Sequence, residues 1–226
     1  MKSSLLPAAF ALAVVVPAVR LAAADAPPPA VSALQAEFVD SDDAAVAAVR
    51  RDGEAAINWI ANSLIRELNN ALAQGGPDKA IDTCHLKALP TTGAVITQMP
   101  QIKAAKRTSL QVRNPANAPD AAEQLALSHV QREIDNGNTP PRFLVQRIDQ
   151  GGKLEWRVYR PIALMANCVT CHGEPDSLPS GVRATLEVRY PQDKAVGYSV
   201  GQWRGLIRVT VTGPSAPATK TPVPKS

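Results

Sequence analysis

Three cysteines, three histidines and three methionines are all the soft or imidazole ligands that 226 residues offer. Any metal centre here must draw on few candidates. Only one Cys-x-x-Cys occurs, with no second pair to complete a four-ligand zinc site. No unbroken apolar run reaches the roughly 20 residues that a membrane-spanning helix needs; the stretch Leu5 to Val19 is short and is interrupted by Pro7 and Pro17. Internal repeats are absent, and basic residues are scattered rather than clustered, which argues against nucleic-acid binding.

What is present at the N-terminus fits export. Lys2 supplies a positive start, Leu5 to Val19 an apolar centre, and "AAADA" (Ala22 to Ala26) small residues for a signal peptidase. Residues 1–24 are therefore expected to be a cleaved signal peptide, leaving a periplasmic protein with no membrane span. Loss of Lys2 and Arg20 with that peptide lowers the formal net charge from +4 to +2, so the high pI is no signature of an acidic partner. Residues 25–39, opening "DAPPPA", read as a linker, and residues 213–226, rich in Pro, Ser, Thr and Lys, as a disordered tail. Residues 40–212 remain, a length suited to one domain.

The periodicity of that domain is α+β. From Ala44 to Ala73, Val46, Val49, Ile57, Ile60, Leu64, Leu68 and Leu72 fall on three- and four-residue steps, with Gly53 in the one missing position. This predicts a long amphipathic helix, stopped by "QGGP" (Gln74 to Pro77). Pro77 then opens a second helix that carries Cys84 and ends at Pro90. Asp120, three residues before Glu123, forms a capping-box start for another helix, closed by Asn136, Gly137 and Asn138. After it the period falls to two. Leu154, Trp156 and Val158 alternate with Lys153, Glu155 and Arg157 behind a turn at Asp149 to Gly152, and Ile207, Val209 and Val211 alternate with Arg208, Thr210 and Thr212. Helices followed by hairpins predict a small antiparallel sheet packed with helices.

Between those strands lies "NCVTCHG", with Cys168, Cys171 and His172 in the order Cys-x-x-Cys-His, the attachment signature of c-type haem. Two thiols three residues apart can add to the two vinyl groups on one porphyrin edge, which holds the adjacent His172 against the iron. A thioredoxin-like site would need a βαβ unit that does not precede Cys168. A plain disulfide between Cys168 and Cys171 would close a strained loop and leave His172 without a task. One covalently attached haem c is the reading that uses all three residues.

Haem iron takes a second axial ligand or leaves that position open to a small molecule. The candidates in the mature chain are Cys84, His85, His129, Met99 and Met165. Met165 lies too near Cys168 to reach the opposite porphyrin face and reads as core, as does Met99. His129 has the pattern of a half-buried helical residue. Periodicity does not choose between Cys84 and His85, although ligation would explain an unpaired thiol in an oxidising compartment.

Four segments, "KAIDTCHLKALP" (Lys79 to Pro90), "RTSLQVRNPANAPD" (Arg107 to Asp120), "RPIALMANCVTCHG" (Arg160 to Gly173) and "YPQDKAVGYSVGQWRGLIRV" (Tyr190 to Val209), give the chain a specific likeness. Their order and spacing resemble those of a family of exported single-haem proteins of uncertain function. The resemblance covers nearly all of residues 40–212. It implies a PAS-like fold and a cysteine as the distal ligand, which here is Cys84, opposite His172. His85, directly after that cysteine, departs from the pattern and stands as a reserve ligand, expected to replace Cys84 on reduction because a thiolate holds ferrous iron less well than ferric.

Haem propionates need paired donors, for which Arg107, Arg113, Asn114 and Asn117 are candidates, with Arg113 and Asn117 foremost. The competing role for Arg113 is to cap a turn. Ligation of the kind implied by the resemblance points to a low-potential electron carrier working with a redox partner protein. The alternative is a sensor of redox state or of a small gas, signalling through a partner. With both axial positions filled and no catalytic acid or base evident beyond His85 and His129, an enzyme is not expected.

Overall fold

The computed structural model describes residues 34–214, with the side chains of residues 78, 79 and 82–92 left outside the description. The expected signal peptide, most of the linker and nearly all of the tail lie outside the described residues.

The long amphipathic pattern folds as α1 (Ala44–Gln98), capped by the Asp43 carboxylate, which accepts from the Ala45 N–H at 2.7 Å. Gly76 alone departs from helical geometry, at φ 71° and ψ −170°, so α1 is two helical halves joined at a kink. Only glycine adopts that backbone without strain, which is why "QGGP" marks the break. The second half does not end at Pro90 as expected, but runs on to Gln98. A proline removes one helical N–H, and the complete burial of Val95 in the main core accounts for the extra turns.

Five antiparallel strands form one sheet, in the spatial order β1 (Gln35–Phe38), β3 (Leu144–Gln150), β4 (Lys153–Ala163), β5 (Trp203–Val211) and β2 (Ile102–Thr108). The expected hairpin is β3 and β4, with Gln150 opposite Lys153. Strand β1 falls where a linker was expected. It pairs along β3, with Ala36 opposite Ile148, and the Arg147–Glu37 ion pair joins the two.

The period of two decides which helix covers which face. Val145, Val158, Ile207, Val209 and Val211 pack with Val49, Ile57 and Ile60 of α1. Their neighbours Leu144, Tyr159 and Leu206 point to the other face, against Ala126, Leu127 and Val130 of α2 (Ala121–Asp135). Ile57 and Ile60 are completely buried, and each contributes roughly 1.5–3 kcal/mol. Gly53, the missing position in the helical pattern, faces Val158 so closely that a Cβ there would collide with the isopropyl group. Helix and sheet meet backbone to side chain at this point.

Helix α2 starts with the expected capping box between Asp120 and Glu123. Glu123 also does more than cap. It is fully buried and accepts from Arg208 Nε of β5 at 2.9 Å and Lys106 Nζ of β2 at 2.8 Å. Arg157 of β4 in turn holds Asp120 at 2.8 Å. These pairs lock the start of α2 to three strands. Two further helices, α3 (Val169–His172) and α4 (Ser180–Arg189), lie between β4 and β5. Among the described residues no helix is long and apolar enough to cross a membrane.

Candidate functional site

The chain leaves β4 at Ala163 and is tied at once to the segment that leads into β5. Leu164 N–H donates to the Gln202 carbonyl at 3.0 Å, and Gly201 N–H to the Leu164 carbonyl at 2.8 Å. Cys168 N–H then donates to Met165 O, and the Cys168 carbonyl accepts from both Cys171 and His172 N–H, at 3.1 and 3.0 Å. The motif is thus wound into the single turn of α3. Residues three apart on a helical turn share a face, which sets the two half-buried thiols of Cys168 and Cys171 side by side.

His172 is fixed from behind. Its Nδ1 lies 2.7 Å from the Ala195 carbonyl. A carbonyl only accepts, so Nδ1 carries the proton and Nε2 the lone pair. That is the tautomer and the support that a metal-binding imidazole requires. Burial pushes its pKa down to about 3, and the charges of Arg113 and Arg204 act the same way, with the Ala195 hydrogen bond opposing them in part. The ring is therefore neutral across the ordinary pH range. Tyr198 packs edge-on to it at 6.4 Å between ring centroids and donates its N–H to the His172 carbonyl at 2.9 Å.

Arg113 braces the same turn. Its Nη2 donates to the carbonyls of Cys171 at 2.5 Å and Ala195 at 3.1 Å, and its Nε to Asp193 at 2.9 Å. One guanidinium therefore grips the motif and the carbonyl that orients His172. In the structure Arg113 Nε and Nη2 are directed at protein acceptors, a bracing role closer to the competing turn-capping idea. Asn117 ends a 3-10 turn (Pro115–Asn117), where its carbonyl accepts from Thr108 Oγ1 at 3.1 Å. Its contacts are with β2 and its own turn rather than with α3.

The second half of α1 reaches this region. Ile81 forms a small core with Leu178, Val182 and Leu186, against which Cys171 packs. Cys84 and His85 lie three and four residues further along α1; their side chains fall outside the described residues. His129 is remote in its contacts, its ring 4.7 Å from that of Phe38. Met99 packs on the main core as expected. Met165 does not, being 44% exposed beside the motif rather than buried. The sequence reading missed Ala195 and Asp193 altogether, since nothing in the pattern of a loop reports which carbonyl an imidazole will find.

A family model described as Tll0287-like matches residues 39–212. Among solved structures, the crystal structure of the cyanobacterial heme-protein Tll0287 aligns with a TM-score of 0.53 and 22% sequence identity, over 70% of this chain and 91% of that chain. At that identity the likeness speaks to the fold. No curated protein matches.

Proposed function

This chain belongs to the Tll0287-like family, and from that premise we propose that it is a periplasmic carrier of one haem c, exchanging electrons with a redox partner protein. Cys168 and Cys171 would hold the haem through two thioethers, His172 would bind its iron through Nε2, and Cys84 would supply the second iron ligand, with His85 in reserve. When bound, the haem supplies a one-electron ferric–ferrous couple, and an anionic thiolate opposite imidazole favours the ferric side.

The observation that carries this reading is the support of His172. Its Nδ1 is committed to Ala195 and its ring is held neutral, on the same turn as two adjacent thiols. Arg113 keeps the turn rigid, which suits a centre that must change charge without rearranging.

The sensor reading has its own support in the kink at Gly76. It separates the first half of α1 from the half bearing Cys84, whose far end is itself anchored in the main core by Val95. Loss of the Cys84 bond, on reduction or on binding of a diatomic gas, would let the stretch between the anchored residues Ile81 and Val95 shift and be read by a signalling partner.

Protein matured in a periplasm tests the attachment. Intact mass should exceed that of the polypeptide by one haem, and the adduct should survive acid–organic extraction, with C168A/C171A losing both. Extractable haem in the wild type, or no haem at all, would overturn the proposal.

A further inference from the structure

Strand β4 outruns its neighbour. Leu144, the first residue of β3, pairs with Tyr159, so Arg160 to Ala163 pair only with β5. At this open edge lies a cleft of about 520 Å3, whose walls include Pro140, Pro141, Arg142, Arg160, Ala163 and Trp203.

The cleft is cationic and lacks a counter-charge. No Asp or Glu lines it. Arg160 Nη1 donates to Asn58 Oδ1 at 2.6 Å, a neutral acceptor, and Arg142 lies over the Phe143 ring at 5.7 Å. Neither forms an ion pair among the described residues. Burial and the nearby Arg142 charge both push the Arg160 pKa down, the mark of a guanidinium that lacks an anion. Strand addition would exploit the open edge in another way, but Pro161 offers no N–H there.

We propose that this cleft binds a small organic carboxylate, its anionic end between Arg142 and Arg160 and its apolar body against Pro140, Pro141 and Trp203. Two guanidinium groups suit a carboxylate in charge and fork geometry, and the proline and indole surfaces suit a hydrocarbon body. The site is independent of the haem assignment, yet Gly201 and Gln202, which also line it, bond to Leu164 at the start of the segment that leads to Cys168.

Calorimetric titration of the full-length matured protein with benzoate, succinate and the neutral benzamide tests the site. The expected result is saturable binding of a carboxylate probe, weakened at least about tenfold in Arg142→Gln and in Arg160→Gln, with benzamide not bound. Arg142 is exposed, so its variant is expected to keep the wild-type melting temperature and serves as the control for folding. Three results would each overturn the proposal. They are no saturable binding of either carboxylate up to about 10 mM, equal binding by wild type and Arg142→Gln, or a haem absorption change in Arg142→Gln without carboxylate binding, which would give the cleft to the haem's own propionates.

Discussion

Arg113 is where one side chain decides most. It joins its own segment to two others, the motif at Cys171 and the loop of Asp193 and Ala195 that supports His172. Its side chain is only 14% exposed and that of Asp193 11%, so removing the guanidinium strands a nearly buried carboxylate. Arg113→Gln is expected to cost about 2–4 kcal/mol in urea unfolding, and Arg113→Gln/Asp193→Asn to recover part of that loss. A cost below about 0.5 kcal/mol would reduce Arg113 to a surface residue. Cys168, Cys171 and His172 stand out in the sequence because they keep the fixed spacing of one motif. The task of Arg113 does not, since its partners lie 58 to 82 residues away and no local pattern encodes them. Glu123 shows the same division. Its capping role follows from Asp120 three residues earlier, whereas its burial depends on Lys106 and Arg208 from two other strands.

At the scale of elements, periodicity carried furthest where one face is buried. The α1 pattern named Val46, Val49, Ile57 and Ile60, and all four lie in the main core. It also located Gly53 as a gap, and the structure supplies the reason in the close approach of Val158. Gly53→Ala should therefore destabilise by about 1–3 kcal/mol through overpacking, against the helix-propensity gain of about 1 kcal/mol that an open site would show. Thermal unfolding measures the sign, and a stabilised variant would mean that α1 can lift from β4 without cost. Elements held by tertiary contacts rather than by pattern were harder to read. Strand β1 is a four-residue, mostly exposed edge strand, so it shows almost no alternation. Pro90 reads locally as a stop, but burial of Val95 beyond it outweighs one missing hydrogen bond. Helix α4 buries only Val182 and Leu186, too few for a ten-residue segment to declare itself.

Across the whole molecule, the sheet and the first half of α1 make a frame on which everything near α3 is hung. Hydrogen bonds from Leu164, Gly201, Gly197 and Tyr198 stitch the segment after β4 to the one before β5, so the motif is fixed at both ends. The second half of α1, beyond Gly76, closes over Cys171 through Ile81 and α4. A frame that holds the Cys-x-x-Cys-His turn, with the Cys84-bearing half of α1 anchored beside it at Ile81 and Val95, suits the proposed electron carrier. The ligand proposed on that half, Cys84, is the part on which this reading depends most.

The measurement that tests it most directly is the EPR and absorption spectrum of periplasm-matured protein, oxidised and dithionite-reduced, beside Cys84→Ala. The account predicts a low-spin ferric signal with thiolate character in the wild type and its loss in the variant, with covalent haem retained in both. A haem spectrum unchanged by Cys84→Ala would contradict it and pass the distal position to His85, and no Soret band in the wild type would remove the haem reading altogether.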